Sequence, residues 1–328
     1  MTASVCWTLT DGKAGTENQC LGLAEAVGLV TRARRVRSRA PWRWAPTAIW
    51  TLPWGGAPLR LYADRAEGTL GPPFPRLLIA SGRASVGPAL AIRRLSGGAT
   101  LCVQIQDPRI DPRHFDLVAA PRHDRLSGAN VMLTRGALHR VTPALLNRDK
   151  GRFEPRFANL PRPLVAVLIG GTSRHHRMTP AATRHLVGQL GDLCRTAGGG
   201  LLVTASRRTG EDNAQILRAA LSELPCYFWD GSGENPYFGM LACADYVVVT
   251  EDSVAMTSEA ASTGKPVFVA VLEGGSAKFD AFHRALRDEG VTRPLGRVLE
   301  TWSYEPLDDT AAVAAEVRRR LAPQMADL

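Results

Sequence analysis

Short apolar runs recur along the chain, each closed by a polar or glycine-containing loop and followed by a segment with helical spacing. Val5–Leu9 leads into Thr10-Asp11-Gly12-Lys13-Ala14-Gly15, and a helix is predicted from Glu17 to Val27, with Thr16 and Gln19 spaced as a capping box and Gly28 as the stop. The pattern repeats at Arg76–Ala80, Leu101–Ile105 and Leu117–Ala120. It lapses between Asn147 and Pro163, where Pro155, Pro161 and Pro163 mix with Arg148, Lys150, Arg152, Arg156 and Arg162, and a linker is predicted there.

The alternation restarts with Leu164–Ile169, Gly170-Gly171-Thr172-Ser173 and a helix Pro180–Ala197 that Thr179 should cap. Further strands are predicted at Leu201–Ala205, Cys226–Trp229, Tyr246–Thr250 and Val267–Leu272. A last helix, Asp309–Leu321, puts Val313, Val317 and Leu321 on one face. Strand, loop and helix in this order predict parallel sheets in two α/β domains, residues 1–150 and 163–300, with 301–328 packing back on the first.

With 328 residues, 45% hydrophobic and 22% charged, the composition is that of a globular chain. No apolar run reaches the roughly 18–20 residues that span a bilayer. Thr8, Thr10, Asp11 and Lys13 interrupt the first run before it resembles a signal peptide. The six cysteines are scattered without a CxxC, as expected of buried thiols in a reducing compartment, so the expected location is cytoplasmic. A net charge of +9 favours an anionic partner.

In open parallel sheets, ligands bind beyond the carboxyl ends of the strands. Tyr246–Thr250 ends in Glu251-Asp252-Ser253 and then a helix, so Ser253 should cap it and leave the N–H groups of Val254 and Ala255 for an anion such as a diphosphate. Glu259, roughly 9 Å further along the helix, is placed to accept from ribose hydroxyls. Gly170, Gly171, Thr172 and Ser173 form a second phosphate-cradling candidate, and Arg207 in Ser206-Arg207-Arg208-Thr209 a cation for the same phosphates. His175-His176 have no further ligand at metal-site spacing, so no metal is expected. The first loop lacks G-x-G-x-x-G, which disfavours a nicotinamide. Arg32, Arg34, Arg35, Arg37, Arg39 and Arg43 interleave with Trp42, Trp44, Trp50 and Trp54. Such a set suits an anionic membrane surface, or else Thr31–Arg37 is an edge strand and the tryptophans are core. No nucleic-acid motif accompanies it.

Asn235-Pro236-Tyr237-Phe238, Ser253, Ser258-Glu259 and Gly264-Lys265-Pro266 resemble the donor-site segment of GT-B glycosyltransferases, the lipid II-forming N-acetylglucosaminyltransferases among them. Thr10–Gly15, Gly170–Ser173, Asn235-Pro236-Tyr237, Thr250–Glu259, Gly274-Gly275-Ser276 and Trp302–Leu307 are similar to the plant mitochondrial-fission (Elm-type) family and its bacterial relatives. The resemblance implies a GT-B fold, two Rossmann-like parallel-sheet domains with the nucleotide site in the cleft. It adds Thr257, Ser258, Gly275, Ser276, Lys278 and His283 to the donor-site candidates and puts a catalytic base at Asp11, where the lipid II-forming enzymes have a histidine and this chain has only Asp11 or Lys13. Arg83, Gln106, Asp107 and His123 would line the acceptor side. The implied function is metal-independent transfer of a sugar from a nucleotide-diphosphate sugar to a lipid-linked or envelope glycan acceptor, with no other cofactor, near the inner face of the membrane. The alternative it implies is a non-catalytic membrane adaptor that recruits a dynamin-like GTPase.

Overall fold

The predicted apolar runs form the strands of two parallel sheets. The computed structural model describes residues 5–38, 40, 42–53, 59, 62–64 and 70–326. The chain divides into two units, Met1–Arg140 with Asp308–Leu328, and Val141–Leu307.

The first unit holds β1 (Val5–Thr10), β2 (Val30–Ser38), β3 (Tyr62–Asp64), β4 (Leu77–Ser81), β5 (Leu101–Ile105), β6 (Leu117–Pro121) and β7 (Val131–Thr134). Their order is β3-β2-β1-β4-β5-β6-β7, and only β3 runs antiparallel to its neighbour. Alternate strand residues serve opposite faces. Cys6, Leu77, Ile79 and Val103 pack under helix Ala14–Val27 and the C-terminal helix Asp309–Ala326, which supplies Val313, Val317 and Leu321. Trp7, Leu9, Leu78 and Ala80 pack under helix Arg83–Leu95 with Trp50. Covered on both faces, β4, β5 and β6 are buried at every residue, which explains their unbroken apolar runs.

The first helix starts at Ala14 rather than Glu17. Thr16 therefore sits inside its first turn, donating to the Lys13 carbonyl at 2.9 Å, and the predicted capping box does not form. Gly28, at φ +88°, ends the helix as predicted.

The second unit holds β8 (Leu164–Ile169), β9 (His176–Arg177), β10 (Gly200–Ala205), β11 (Cys226–Trp229), β12 (Tyr246–Thr250), β13 (Val267–Ala270), β14 (Glu273–Gly274) and β15 (Thr292–Pro294). Six of these form a parallel sheet in the order β11-β10-β8-β12-β13-β15, and β9 pairs antiparallel with β14. Thr179 caps helix Pro180–Ala197 by accepting from the Ala182 N–H at 3.1 Å.

The stretch predicted as a linker is instead mostly helix, Pro143–Phe157, in the second unit. Thr142 caps it and Pro143 takes the first position, where a missing N–H costs nothing. Phe153 and Phe157, four residues apart, are buried, while Arg148, Lys150, Arg152 and Arg156 are exposed. Proline and charge hid a two-phenylalanine stripe. Helix Tyr237–Cys243 packs on it so closely that a Cβ on Gly239 would lie 2.6 Å from that of Phe153. Among the described residues no helix is long and apolar enough to cross a membrane. All six cysteines are free, and only Cys226 is not fully buried.

Candidate functional site

Each sheet has one place where the chain reverses its direction of travel across the strands, between β1 and β4 in the first unit and between β8 and β12 in the second. Loops leaving adjacent strands there diverge to opposite faces and open a crevice. The candidate residues of the second unit follow β8, β10, β12 and β13.

Gly170 and Gly171 follow β8, and both are glycines because the protein itself comes close. A Cβ on Gly170 would stand 2.2 Å from the Asp252 carboxylate, and one on Gly171, at φ +144°, 2.2 Å from the Arg208 backbone. The N–H groups of this loop all have partners. Gly170 donates to Thr250 Oγ1 (2.8 Å), Gly171 to Asp252 Oδ2 (3.0 Å), Thr172 to the Arg208 carbonyl (2.9 Å) and Ser173 to that of His176 (2.9 Å). The glycines thus serve close packing, and the loop's hydroxyl oxygens are engaged as well, that of Thr172 accepting from the Met178 N–H (3.1 Å) and that of Ser173 from the N–H groups of His175 (3.2 Å) and His176 (3.1 Å).

Asp252 organises this arrangement. Its side chain is 0% exposed, accepts from Thr250 Oγ1 at 2.7 Å and from Gly171, and meets Arg208 Nη1 at 2.6 Å. Arg208 pairs with the carboxylate, while Arg207, the predicted cation, is exposed beside it. The flanking residues join two more segments. Glu251 accepts from the Leu272 N–H at 2.7 Å, and its carbonyl lies 2.7 Å from His283 Nε2. A carbonyl only accepts, so Nε2 carries the proton.

Ser253 caps helix Val254–Ala261, accepting from the Met256 N–H at 3.3 Å. The N–H groups of Val254 and Ala255 lie ahead of the helical ladder, the position that favours an anion. Thr257 and Ser258 are buried, and their hydroxyls donate to the carbonyls of Ser253 (3.0 Å) and Val254 (2.7 Å), a role internal to the helix. Glu259 is buried and accepts from the Tyr237 hydroxyl at 2.5 Å, so two segments far apart in sequence share one contact. Burial, then the charge and hydrogen bond of Glu259, push the Tyr237 phenol well up. Lys265 donates to the carbonyls of Leu241 (2.5 Å) and Ala242 (2.7 Å) near the end of helix Tyr237–Cys243, and burial lowers its pKa to about 8.

The loop after β13 is pinned to the same place. The Gly275 N–H donates to the His175 carbonyl at 2.7 Å, and Ser276 caps helix Ala277–Asp288, on whose first turn Lys278 is exposed. His176 and His283 are buried, the first edge-on to Phe279 with ring centroids 4.7 Å apart. Burial is the main force holding both imidazoles below their ordinary pKa, and their Nδ1 atoms have no hydrogen-bond partner among the described residues. Gly170–Ser173, Ser253, Gly275, Ser276 and His283 are therefore knitted together through Glu251, Asp252 and His175.

Beyond β1 and β4 the first unit has a cavity of about 600 Å³. Asp11, Lys13, Arg37, Trp42, Trp50, Arg83 and Gln106 are on its wall. Asp107 is turned instead to the Arg109 N–H (2.7 Å), and His123 is not part of the lining. Asp11 accepts from Lys13 Nζ at 2.6 Å and from Thr16 Oγ1 at 3.2 Å. Burial pushes its carboxyl up, but the hydrogen bonds and charge of Lys13, with the Thr16 hydroxyl, outweigh that and hold it below its ordinary value.

The Arg/Trp segment separates into distinct roles. Arg34 is buried with its guanidinium 4.8 Å from the Trp7 ring centroid, and Arg35 forks onto Glu17 at 2.9 and 3.1 Å. Of the two, only Arg34 is withdrawn from the surface, the Arg35 side chain being 58% exposed. Trp50 is core, and Arg37 and Trp42 face the cavity. β2 is an interior strand, flanked by β1 and β3, rather than an edge. Trp44 is 63% exposed. Arg39, Trp54 and the side chain of Arg43 lie outside the described residues.

Asp252 and Arg208 carry much of this geometry without having stood out in the sequence. An Asp beside a predicted cap and the second of two arginines give no local sign of pairing across a sheet.

The family described as "Mitochondrial fission ELM1" matches residues 14–321. "Mitochondrial fission protein ELM1" of Arabidopsis thaliana is 32% identical, the alignment covering 95% of this chain and 90% of that protein. Among solved structures, UDP-GlcNAc 2-epimerase of Methanocaldococcus jannaschii, in complex with UDP-GlcNAc and UDP, superposes with a TM-score of 0.54 at 9% identity, over 97% of this chain and 99% of that one. UDP-GlcNAc 2-epimerase of Neisseria meningitidis, bound to UDP-GlcNAc, gives 0.50 at 11% identity over the same shares. These likenesses are of fold, two Rossmann-like units of the GT-B type. The sequence match is of another order, since the family model runs from residue 14 into the C-terminal helix at residue 321, and by it the chain belongs to the mitochondrial fission ELM1 family.

Proposed function

We propose that this protein transfers a sugar from a nucleoside diphosphate sugar to a lipid-linked or envelope glycan acceptor. The observation that carries the proposal is the Ser253-capped helix end beyond β12, joined through Asp252 to the Gly170–Gly171 loop beyond β8 at the switch point of the second sheet. In this reading the helix end and Ser253 take the diphosphate, Glu259, steadied by Tyr237, takes the ribose, and Gly275, Ser276, Lys278 and His283 border the sugar. The acceptor hydroxyl oxygen attacks the anomeric carbon and the bond from that carbon to the diphosphate breaks. Asp11 takes the hydroxyl proton, and the nucleoside diphosphate leaves with the bonding electrons. Positive potential at the helix end is worth most as that charge develops. The solved neighbours' UDP-GlcNAc makes uridine nucleotides the first to try.

Thermal unfolding with UDP and UDP-GlcNAc tests the donor site. Ligand at 100 times its Kd stabilises by about 2.7 kcal/mol. Glu259→Gln, which keeps the shape but not the charge, should remove most of that shift. Failure of every nucleoside diphosphate to raise the melting temperature would overturn the donor site.

A second reading, a membrane-associated adaptor that recruits a dynamin-like GTPase at the cytoplasmic face, has support in the exposure of Trp44 (63%) and Leu52 (51%) and in the name of the plant relative. Salt-sensitive binding to anionic vesicles without any response to nucleotides is the outcome that favours it.

A further inference from the structure

The cavity beyond β1 and β4 has more positive charge than its own carboxylate can match. Among its described lining residues, Lys13, Arg37 and Arg83 face Asp11 alone. Arg37 is exposed and has no carboxylate partner among the described residues. Arg83 donates to the carbonyls of Trp44 (3.2 Å) and Ala45 (2.5 Å), which hold its guanidinium in place without neutralising it. Lys13 pairs with Asp11, but its side chain is 77% exposed and its flexible stem lets the ammonium swing to another anion. Two helices begin here, at Ala14 after Lys13 and at Arg83 after Gly82, and neither has a side-chain cap, so their N-terminal potential adds to the same sign. Gly82, at φ +83°, lets the chain turn from strand to helix there. The wall also includes the indoles of Trp42 and Trp50, with ring centroids 5.9 Å apart, among small, apolar and amide side chains. Indole faces are electron-rich and accept the C–H face of a sugar ring.

We infer that this cavity binds a sugar phosphate, with the phosphate on Lys13, Arg37 and Arg83 and the ring against Trp42. The inference deepens the transfer reading, and rests on it only in calling this ligand the acceptor. Drawing Lys13 onto the phosphate also frees the Asp11 carboxylate, so that the base is released when the acceptor arrives. A phosphorylated sugar could come free in solution or as the headgroup of a polyprenyl diphosphate.

Tryptophan fluorescence of the full-length protein titrated with glucose 1-phosphate, glucose and inorganic phosphate tests this, beside vesicles with and without a polyprenyl-diphosphate-linked sugar. Glucose 1-phosphate or the loaded vesicles should bind at least about tenfold more tightly than glucose, a difference of about 1.4 kcal/mol. Which of the two binds more tightly identifies the source. Arg37→Gln, on an exposed strand position, should weaken that binding about tenfold or more. Trp42→Leu should weaken the sugar phosphate and leave inorganic phosphate unchanged. The inference falls if neither phosphorylated ligand binds the wild type, or if Arg37→Gln binds both as the wild type does. The UDP-induced thermal shift of Arg37→Gln is the separate control. If that shift persists while sugar phosphates fail, only this cavity's assignment is lost; if it is absent from the wild type while sugar phosphates bind, only the donor site is lost.

Discussion

Both units place an aspartate beside their switch point and pair it with a cation at 2.6 Å, yet the two pairs differ in almost every other respect. Asp252 is 0% exposed and Arg208 40%. Asp11 is 25% exposed and Lys13 77%. Asp252 also takes a hydroxyl and a backbone N–H, so that three strand-end loops depend on it. Asp11 takes an N–H of its own loop and a hydroxyl from the first turn of the helix that follows, and otherwise looks onto a cavity. One topology has thus produced a closed clamp in one unit and an open, replaceable pair in the other. The lesson is that a motif at a switch point does not state its role. Burial decides whether a carboxylate holds the fold or remains available for chemistry.

That contrast breaks most directly at Asp11. Asp11→Asn keeps the shape of the side chain, so stability should change by less than about 1 kcal/mol, as for other exposed pairs. Turnover, in the transfer reading, should fall by about 10²–10⁴-fold. Nucleotide affinity should hold, since the same reading puts the donor on the other unit. A stability loss well above that, measured by urea denaturation, would make Asp11 a structural clamp like Asp252.

Asp252→Ala is the converse. It leaves Arg208 and the Gly171 N–H without their partner, and removing one member of a buried pair costs about 3–5 kcal/mol. Arg208 keeps part of its surface in water, which puts the expected loss near the lower figure. A denaturation midpoint equal to that of the wild type would remove Asp252 from its place at the centre of the site.

The smallest effect is in the pH dependence of stability. His176 and His283 are held below their ordinary pKa of 6.5, chiefly by burial. The unfolded chain takes up protons that the folded one refuses, so stability is full above about pH 6.5 and falls as the pH drops below it. Each histidine contributes at most about 1.4 kcal/mol per pH unit. His283→Gln keeps a donor for the Glu251 carbonyl and removes one titration, so the slope should become shallower. An unchanged slope would mean that His283 titrates as freely in the folded chain as in the unfolded one.

The sequence by itself determined the strands, because a strand buried on both faces needs an unbroken apolar run, and β5, β8 and β12 fall on Leu101–Ile105, Leu164–Ile169 and Tyr246–Thr250 as predicted. It also gave the caps at Thr179 and Ser253 and the stop at Gly28, since these depend on neighbours within a turn. Helix Pro143–Phe157 was hidden because its apolar side is a pair of phenylalanines whose partner helix begins at Tyr237. The functional assignments depended still more on distance in sequence. Nothing local distinguishes Arg207 from Arg208, shows that Gly170 is small to admit Asp252, or divides one Arg/Trp run into core, ion pair and cavity wall. Only tertiary structure decided these, because burial and pairing are set by residues that the chain brings together from the ends of different strands.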